Sequence, residues 1–199
     1  MFSLASDISF LRNLSPGQKF FALGQTIKGN FHFTQKDAAY AWLSYYSKGK
    51  LNFKGTAKSK SLLTNPQQIP YSVRSTIKYN QYSVGWKRYL KGSFDIEKDW
   101  ALYGYAGFGL LFGKAENVFD PGIDTIEYNI DTPFPGIGKF TKLTFDIGLG
   151  AEYPVITDLY VYSEIRTWIA ASDYPSGYLR NNKNFPSVIA LNIGARILF

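Results

Sequence analysis

Cysteine is absent from all 199 residues. A disulfide scaffold, a thiolate metal site and a cysteine nucleophile are therefore excluded, while the compartment stays open. Histidine occurs once, as His32. No segment sustains the 3.6-residue period of an amphipathic helix, so little helix is expected. A membrane-spanning helix is excluded too: the longest uncharged run, "WALYGYAGFGLLFG", falls short of roughly 20 residues and is rich in glycine. No Pro/Gly/Ser-rich linker divides the chain, which reads as one domain over 1–199. No signal-peptide pattern precedes "FSLASDISF", itself a strand pattern, so the expectation is either a cytosolic protein or a mature form whose targeting segment has been removed. The net charge of +7 is scattered through strands and loops without a compact nucleic-acid motif, and nucleic acid is not an expected partner.

What the chain does have is aromatic residues, at 18%, eighteen glycines, and a two-residue period almost everywhere. About eight segments carry that period: 2–12, 18–33, 38–50, 73–90, 100–113, 140–153, 158–170 and 185–199. The links "TQKD", "KGSFDIEKD" and "PVITD" are short, whereas 51–72, 114–139 and 171–184 are long and polar; only "NLSPGQ" is short on the long side. Short and long links alternate, as in an antiparallel up-and-down sheet trimmed at one end. The expected fold is all-β: a transmembrane up-and-down β-barrel of about eight strands, with short periplasmic turns and three long extracellular loops.

The position of charge within the strands decides which face meets lipid. In "LTFDIGLGAEY", Leu143, Phe145, Ile147 and Leu149 share one face, and Asp146 and Glu152 the other. The same separation in the other strands collects Asp7, Lys28, Lys87, Asp146, Glu152, Glu164, Arg166 and Arg196 on the polar face, four acids and four bases. Inside a small barrel such charges must pair, because a lone buried ion costs several kcal/mol. They are expected to form an internal salt-bridge network. A one-residue slip would turn most of them to lipid, where a basic residue costs roughly 2–4 kcal/mol at the midplane. Gly148, Gly150 and Gly194 on that face are expected to make room for large inward side chains. Phe31, Phe33, Tyr40, Trp42, Trp86, Tyr89, Trp100, Tyr153 and Phe199 are expected as an aromatic girdle near the short turns.

The last segment, "ALNIGARILF", resembles the final strand of bacterial outer-membrane barrels. The whole chain is similar to OmpA/OmpX-type eight-stranded barrels, and "DISFLRNLSPGQKF", "GYAGFGLLFG" and "TFDIGLGAEYP" resemble small outer-membrane barrels of Bacteroidota. The resemblance implies a Gram-negative outer membrane, contact with membrane lipid and lipopolysaccharide, and Phe199 as part of a signal read by the barrel-assembly machinery.

Chemistry is sparse. His32 ends a strand running toward "TQKD", the wrong side of the membrane for an enzyme acting on lipopolysaccharide, so no catalytic residue, cofactor or metal is expected. The acids of "FDPGIDTIEYNID" lack the spacing of an EF-hand loop. Lys48–Arg74 holds six basic residues and no acid, and Lys114–Lys139 holds five acids and two lysines. Either these loops fold over one another with complementary charge, or Lys50, Lys54, Lys58 and Lys60 contact lipopolysaccharide phosphates. The expected function is structural or surface-interacting, in a monomer with a closed polar interior and no turnover, and with a protein partner possible at the loops. The alternatives are a lipid A-modifying barrel enzyme and a soluble lipocalin-like barrel with its apolar residues inside.

Overall fold

A chain that alternates polar and apolar residues can bury one face of each strand and must place the other against a different environment. The computed structural model describes residues 1–131, 133–171, 176–182 and 186–199. Its strands are β1 (Phe2–Asn13), β2 (Phe20–His32), β3 (Asp37–Ser59), β4 (Gln68–Lys91), β5 (Ala101–Asp120), β6 (Tyr128–Asn129), β7 (Gly136–Ile156), β8 (Leu159–Ala170) and β9 (Val188–Leu198). Eight of them pair antiparallel in a ring, which β1 closes by pairing with β9. The two-residue β6 pairs only with β3, through Lys58 and Ser59.

The outer wall is apolar. Phe108, Leu149, Ile165 and Ile193 lie exposed on it, while Asp146, Glu164, Arg166 and Arg196 are each about 1% exposed in the interior. This is the inverse of a lipocalin-like barrel. At about 3.3 Å per residue the 12 residues of β1 run roughly 40 Å, enough for a tilted strand to cross a hydrocarbon core. Inward glycines create space where rings enter: a Cβ on Gly148 would collide with the Tyr105 ring, and one on Gly150 with Tyr103. Gly148→Val should therefore destabilise the barrel by about 1–3 kcal/mol through overpacking, read as a lower urea midpoint in detergent.

The strands differ in length. β1, β2, β8 and β9 have 12, 13, 12 and 11 residues, but β3, β4, β5 and β7 have 23, 24, 20 and 21. Much of 51–72 and 114–139, expected as loop, is thus strand. These four strands continue about ten residues past the band as a curved wall on one side of the mouth. In this wall the chemistry inverts. Ala57, Tyr71, Val73 and Ala115 face inward, and Lys50, Lys54, Lys58 and Arg74 face out, as in a water-soluble sheet. In β3 the change is made by a bulge between Tyr46 and Gly49, which flips the inward parity from even to odd residues.

Candidate functional site: the charged interior and the outer rim

The structure places all eight sequence-derived charges in the interior, in layers. Nearest the short turns, Glu152 accepts from Arg196 Nη2 at 2.8 Å, Lys87 Nζ at 3.3 Å and the Tyr89 hydroxyl at 2.7 Å. Arg196 also donates to the Phe94 carbonyl at 2.6 Å and lies over the Tyr160 ring. The next layer centres on Glu164, whose two oxygens accept from Lys28 Nζ at 2.7 Å and from the hydroxyls of Tyr103 and Tyr105 at 3.1 Å. Above it, Arg166 donates to Thr26 and Ser44 at 3.0 Å and to the Tyr46 hydroxyl, with its guanidinium over Trp42. Asp7 accepts from the Tyr162 hydroxyl at 2.8 Å, and Asp146 from Gln81 at 2.8 Å.

The expected internal salt-bridge network forms in part. Three direct ion pairs form, Lys28–Glu164, Lys87–Glu152 and Arg196–Glu152. Among the described residues Arg166, Asp7 and Asp146 make none, and neutral hydroxyl and amide groups solvate them instead. Tyrosine, threonine, serine and glutamine side chains make the direct contacts there, the opposite charges of the lumen lying beyond ion-pair distance. Sequence reading missed Lys142, which is fully buried and donates to the Asn182 carbonyl at 3.0 Å. Its parity with Thr144 and Asp146 was the available signal.

Apolar groups occupy the lumen on both sides of these layers. Phe94, from the turn between β4 and β5, stacks on His32 with centroids 4.4 Å apart. On the long-loop side Leu11, Phe20, Ile77, Phe140 and Leu179 pack together. His32 Nε2 lies 2.9 Å from Ser3 Oγ, both buried, and among the described residues no carboxylate hydrogen-bonds the ring. No cluster of His, Asp and Glu among the described residues could hold a metal ion.

Tyr40, Trp42 and Tyr89, expected in the girdle, face inward and are nearly fully buried; Phe31, Phe33, Trp86, Trp100, Tyr153 and Phe199 are exposed on the outer wall. Phe199 lies 6.3 Å from the Phe2 ring and is backbone-bonded to Phe2 at 2.9 Å. Asp99 in the turn after β4 has its carboxyl held below the usual carboxylate range by the Trp100 amide and by Lys91. That contribution is present above the ordinary carboxylate range and is lost as pH falls through the lowered value.

The two charged segments do meet, but not chiefly through charge. Lys60 N donates to the Glu127 carbonyl at 2.9 Å, Lys60 Nζ to the Thr125 carbonyl at 2.8 Å, and the Tyr128 hydroxyl to the Pro66 carbonyl at 2.9 Å. Beneath these bonds Ala57, Tyr71, Val73 and Tyr128 pack together, with Phe53 and Phe119 against them. Burial there, with Asp131 nearby, raises the Tyr71 hydroxyl above its ordinary pKa. The one ion pair between the segments among the described residues is Lys48–Glu116, at 3.8 Å and exposed. Lys50, Lys54 and Lys58 point outward along the part of β3 that β2 no longer pairs; at Lys50 and Lys54 lysine guards a free strand edge against further pairing, and at Lys58 β6 covers that edge.

Barrels of this architecture are known. Ail, the attachment invasion locus protein of Yersinia pestis, solved in complex with the heparin analogue sucrose octasulfate, superposes with a TM-score of 0.53 at 15% identity, covering 98% of this chain and 97% of Ail. The N-terminal β-barrel domain of Pseudomonas aeruginosa OprF gives 0.54 at 10% identity, over 99% and 97% of the two chains. Neisserial surface protein A gives 0.53 at 12%, over 100% and 97%. No protein-family model and no curated protein matches the sequence. By fold the chain is a small eight-stranded outer-membrane β-barrel. These likenesses establish the architecture and do not bear on the Bacteroidota resemblance.

Proposed function

We propose that residues 1–199 form one integral barrel of the bacterial outer membrane, monomeric, without an open pore or catalytic turnover, whose role is structural or surface-interacting. The observation that carries this reading is the filling of the lumen. Three charged layers are flanked by Phe94 on one side and by Phe20, Phe140 and Leu179 on the other. An eight-stranded barrel leaves room for little more than its side chains. Sealed in this way, the barrel serves as a rigid base, and the wall of β3, β4, β5 and β7 is the part available to a partner. Outer-membrane lipid surrounds the band, and the barrel-assembly machinery would read Phe199. Lys50, Lys54, Lys58 and Lys60 belong to the wall's outward or tip surface, beyond the lipid band, and are proposed to meet there the phosphates on the sugar part of lipopolysaccharide.

The purified protein reconstituted in a planar bilayer should show negligible steady conductance; a stable ohmic channel would overturn the sealed lumen. The same preparation should migrate differently on a gel before and after boiling, as a detergent-resistant barrel does. One mobility at both temperatures, with solubility in plain buffer, would overturn the membrane assignment itself. Lipid A from cells expressing the protein should keep its mass, and a discrete loss or gain of an acyl group would establish the enzyme reading instead.

A further inference from the structure

At the upper edge of the apolar band the outer wall carries a lateral row of lysines. Lys78 of β4 stands directly opposite Lys114 of β5, and Lys114 directly opposite Lys139 of β7. Lys48, in the β3 bulge, extends the row by one strand. Like charges in direct cross-strand register repel, so the arrangement destabilises the sheet unless something outside neutralises it. Among the described residues the compensation is slight: the Lys48 contact to Glu116 at 3.8 Å, and Lys78 over the Tyr45 ring at 4.5 Å. The opposite rim is built differently. There Arg88 pairs with Asp37 at 3.5 Å and Lys91 with Asp99 at 3.0 Å. The excess of one sign is confined to the long-strand side.

Immediately below the row the wall is recessed. Gly29 and Ala41 present almost no side chain between Ile27, Leu43, Tyr82 and Leu110, leaving an apolar trough of about 670 Å³ across β2 to β5. Tyr82 pairs with Leu110 four residues along the same strands from the Lys78–Lys114 pair. That places this edge of the trough about 13 Å along the strands from the backbone of the lysine pair, with the Asn80–Phe112 pair between them. An anion-binding row and an acyl-sized trough at this separation fit one kind of molecule.

We propose that this stripe binds a phosphorylated, multiply acylated glycolipid of the outer leaflet, with phosphate against Lys78, Lys114 and Lys139 and an acyl chain in the trough. The proposal rests on the membrane-barrel reading and adds a site for the lipid A part at the edge of the band, below the sugar phosphates assigned to Lys50, Lys54, Lys58 and Lys60. Each lysine at an anionic surface contributes about fivefold to binding.

The test is binding of bis-phosphorylated lipid A, its dephosphorylated form and phosphatidylglycerol to the detergent-solubilised full chain, followed by native mass spectrometry. Wild type should prefer bis-phosphorylated lipid A to both others by about tenfold or more. Lys78→Gln/Lys114→Gln/Lys139→Gln should abolish that preference, while Lys50→Gln/Lys54→Gln/Lys58→Gln should keep it. Lys114→Gln alone should raise the thermal midpoint in lipid-free zwitterionic detergent, because it relieves repulsion, and should lower it when lipid A is present. Equal binding of the three lipids, retention of the preference by the row variant, or a lowered lipid-free midpoint would each overturn the proposal. A gel shift on boiling, checked for every variant, separates these outcomes from failure of the barrel reading.

Discussion

Glu152→Gln should lower the unfolding free energy of the detergent-folded barrel by about 3–5 kcal/mol, among the largest effects open to a single isosteric change. Glu152 is the sole ion-pair partner, among the described residues, of both Arg196 and Lys87, and all three are no more than 4% exposed. Removing its charge leaves two buried cations with no carboxylate in ion-pair contact among the described residues. Adding Arg196→Met and Lys87→Met to Glu152→Gln should restore much of the loss, because an apolar lumen of similar volume no longer carries an uncompensated ion. Urea titration of the fast- or slow-migrating unboiled species gives the comparison. A single variant as stable as the parent would mean that water reaches this layer.

Ile165→Lys should cost about 2–4 kcal/mol, since Ile165 lies mid-strand on the outer wall between Leu149 and Leu191. Val118→Lys, equally outward-facing but on the wall past the lysine row, should change stability by no more than about 0.5 kcal/mol. The two sites are comparably exposed, at 58% and 50%, so only their height relative to the bilayer separates them. Equal effects at both positions would remove the distinction between a lipid-embedded band and a water-exposed wall.

The barrel itself was legible in the sequence because side-chain direction in a strand has a period of two. A charge within an apolar segment therefore declares which face is inside, and Asp146, Glu164, Arg166 and Arg196 did so without reference to partners. The partners were not legible. Pairing across the lumen depends on strand tilt and stagger, which a one-dimensional pattern does not contain, so the solvation of Arg166 by Thr26, Ser44 and Tyr46 is visible only in the folded barrel. The wall reads as loop for a different reason. Leu51, Phe53 and Ala57 alternate with Lys50, Lys54 and Lys58 as regularly as in any strand, but the rule that assigns apolar residues to the outside reverses where lipid ends. The β3 bulge adds a change of parity at the same place. Nearness to the short turns points Tyr40, Trp42 and Tyr89 to the girdle, while their parity puts them inside.

The unequal strand lengths have a mechanical consequence. A partner gripping the 60–67 turn would pull along β3 and β4, parallel to the strands that anchor them. The β4–β5 ladder, which runs from Ser72 to Lys91, is then loaded in shear, with many rungs resisting together instead of opening one after another. A tip held this way should withstand tugging from outside the cell far better than a flexible loop tethered at its two ends.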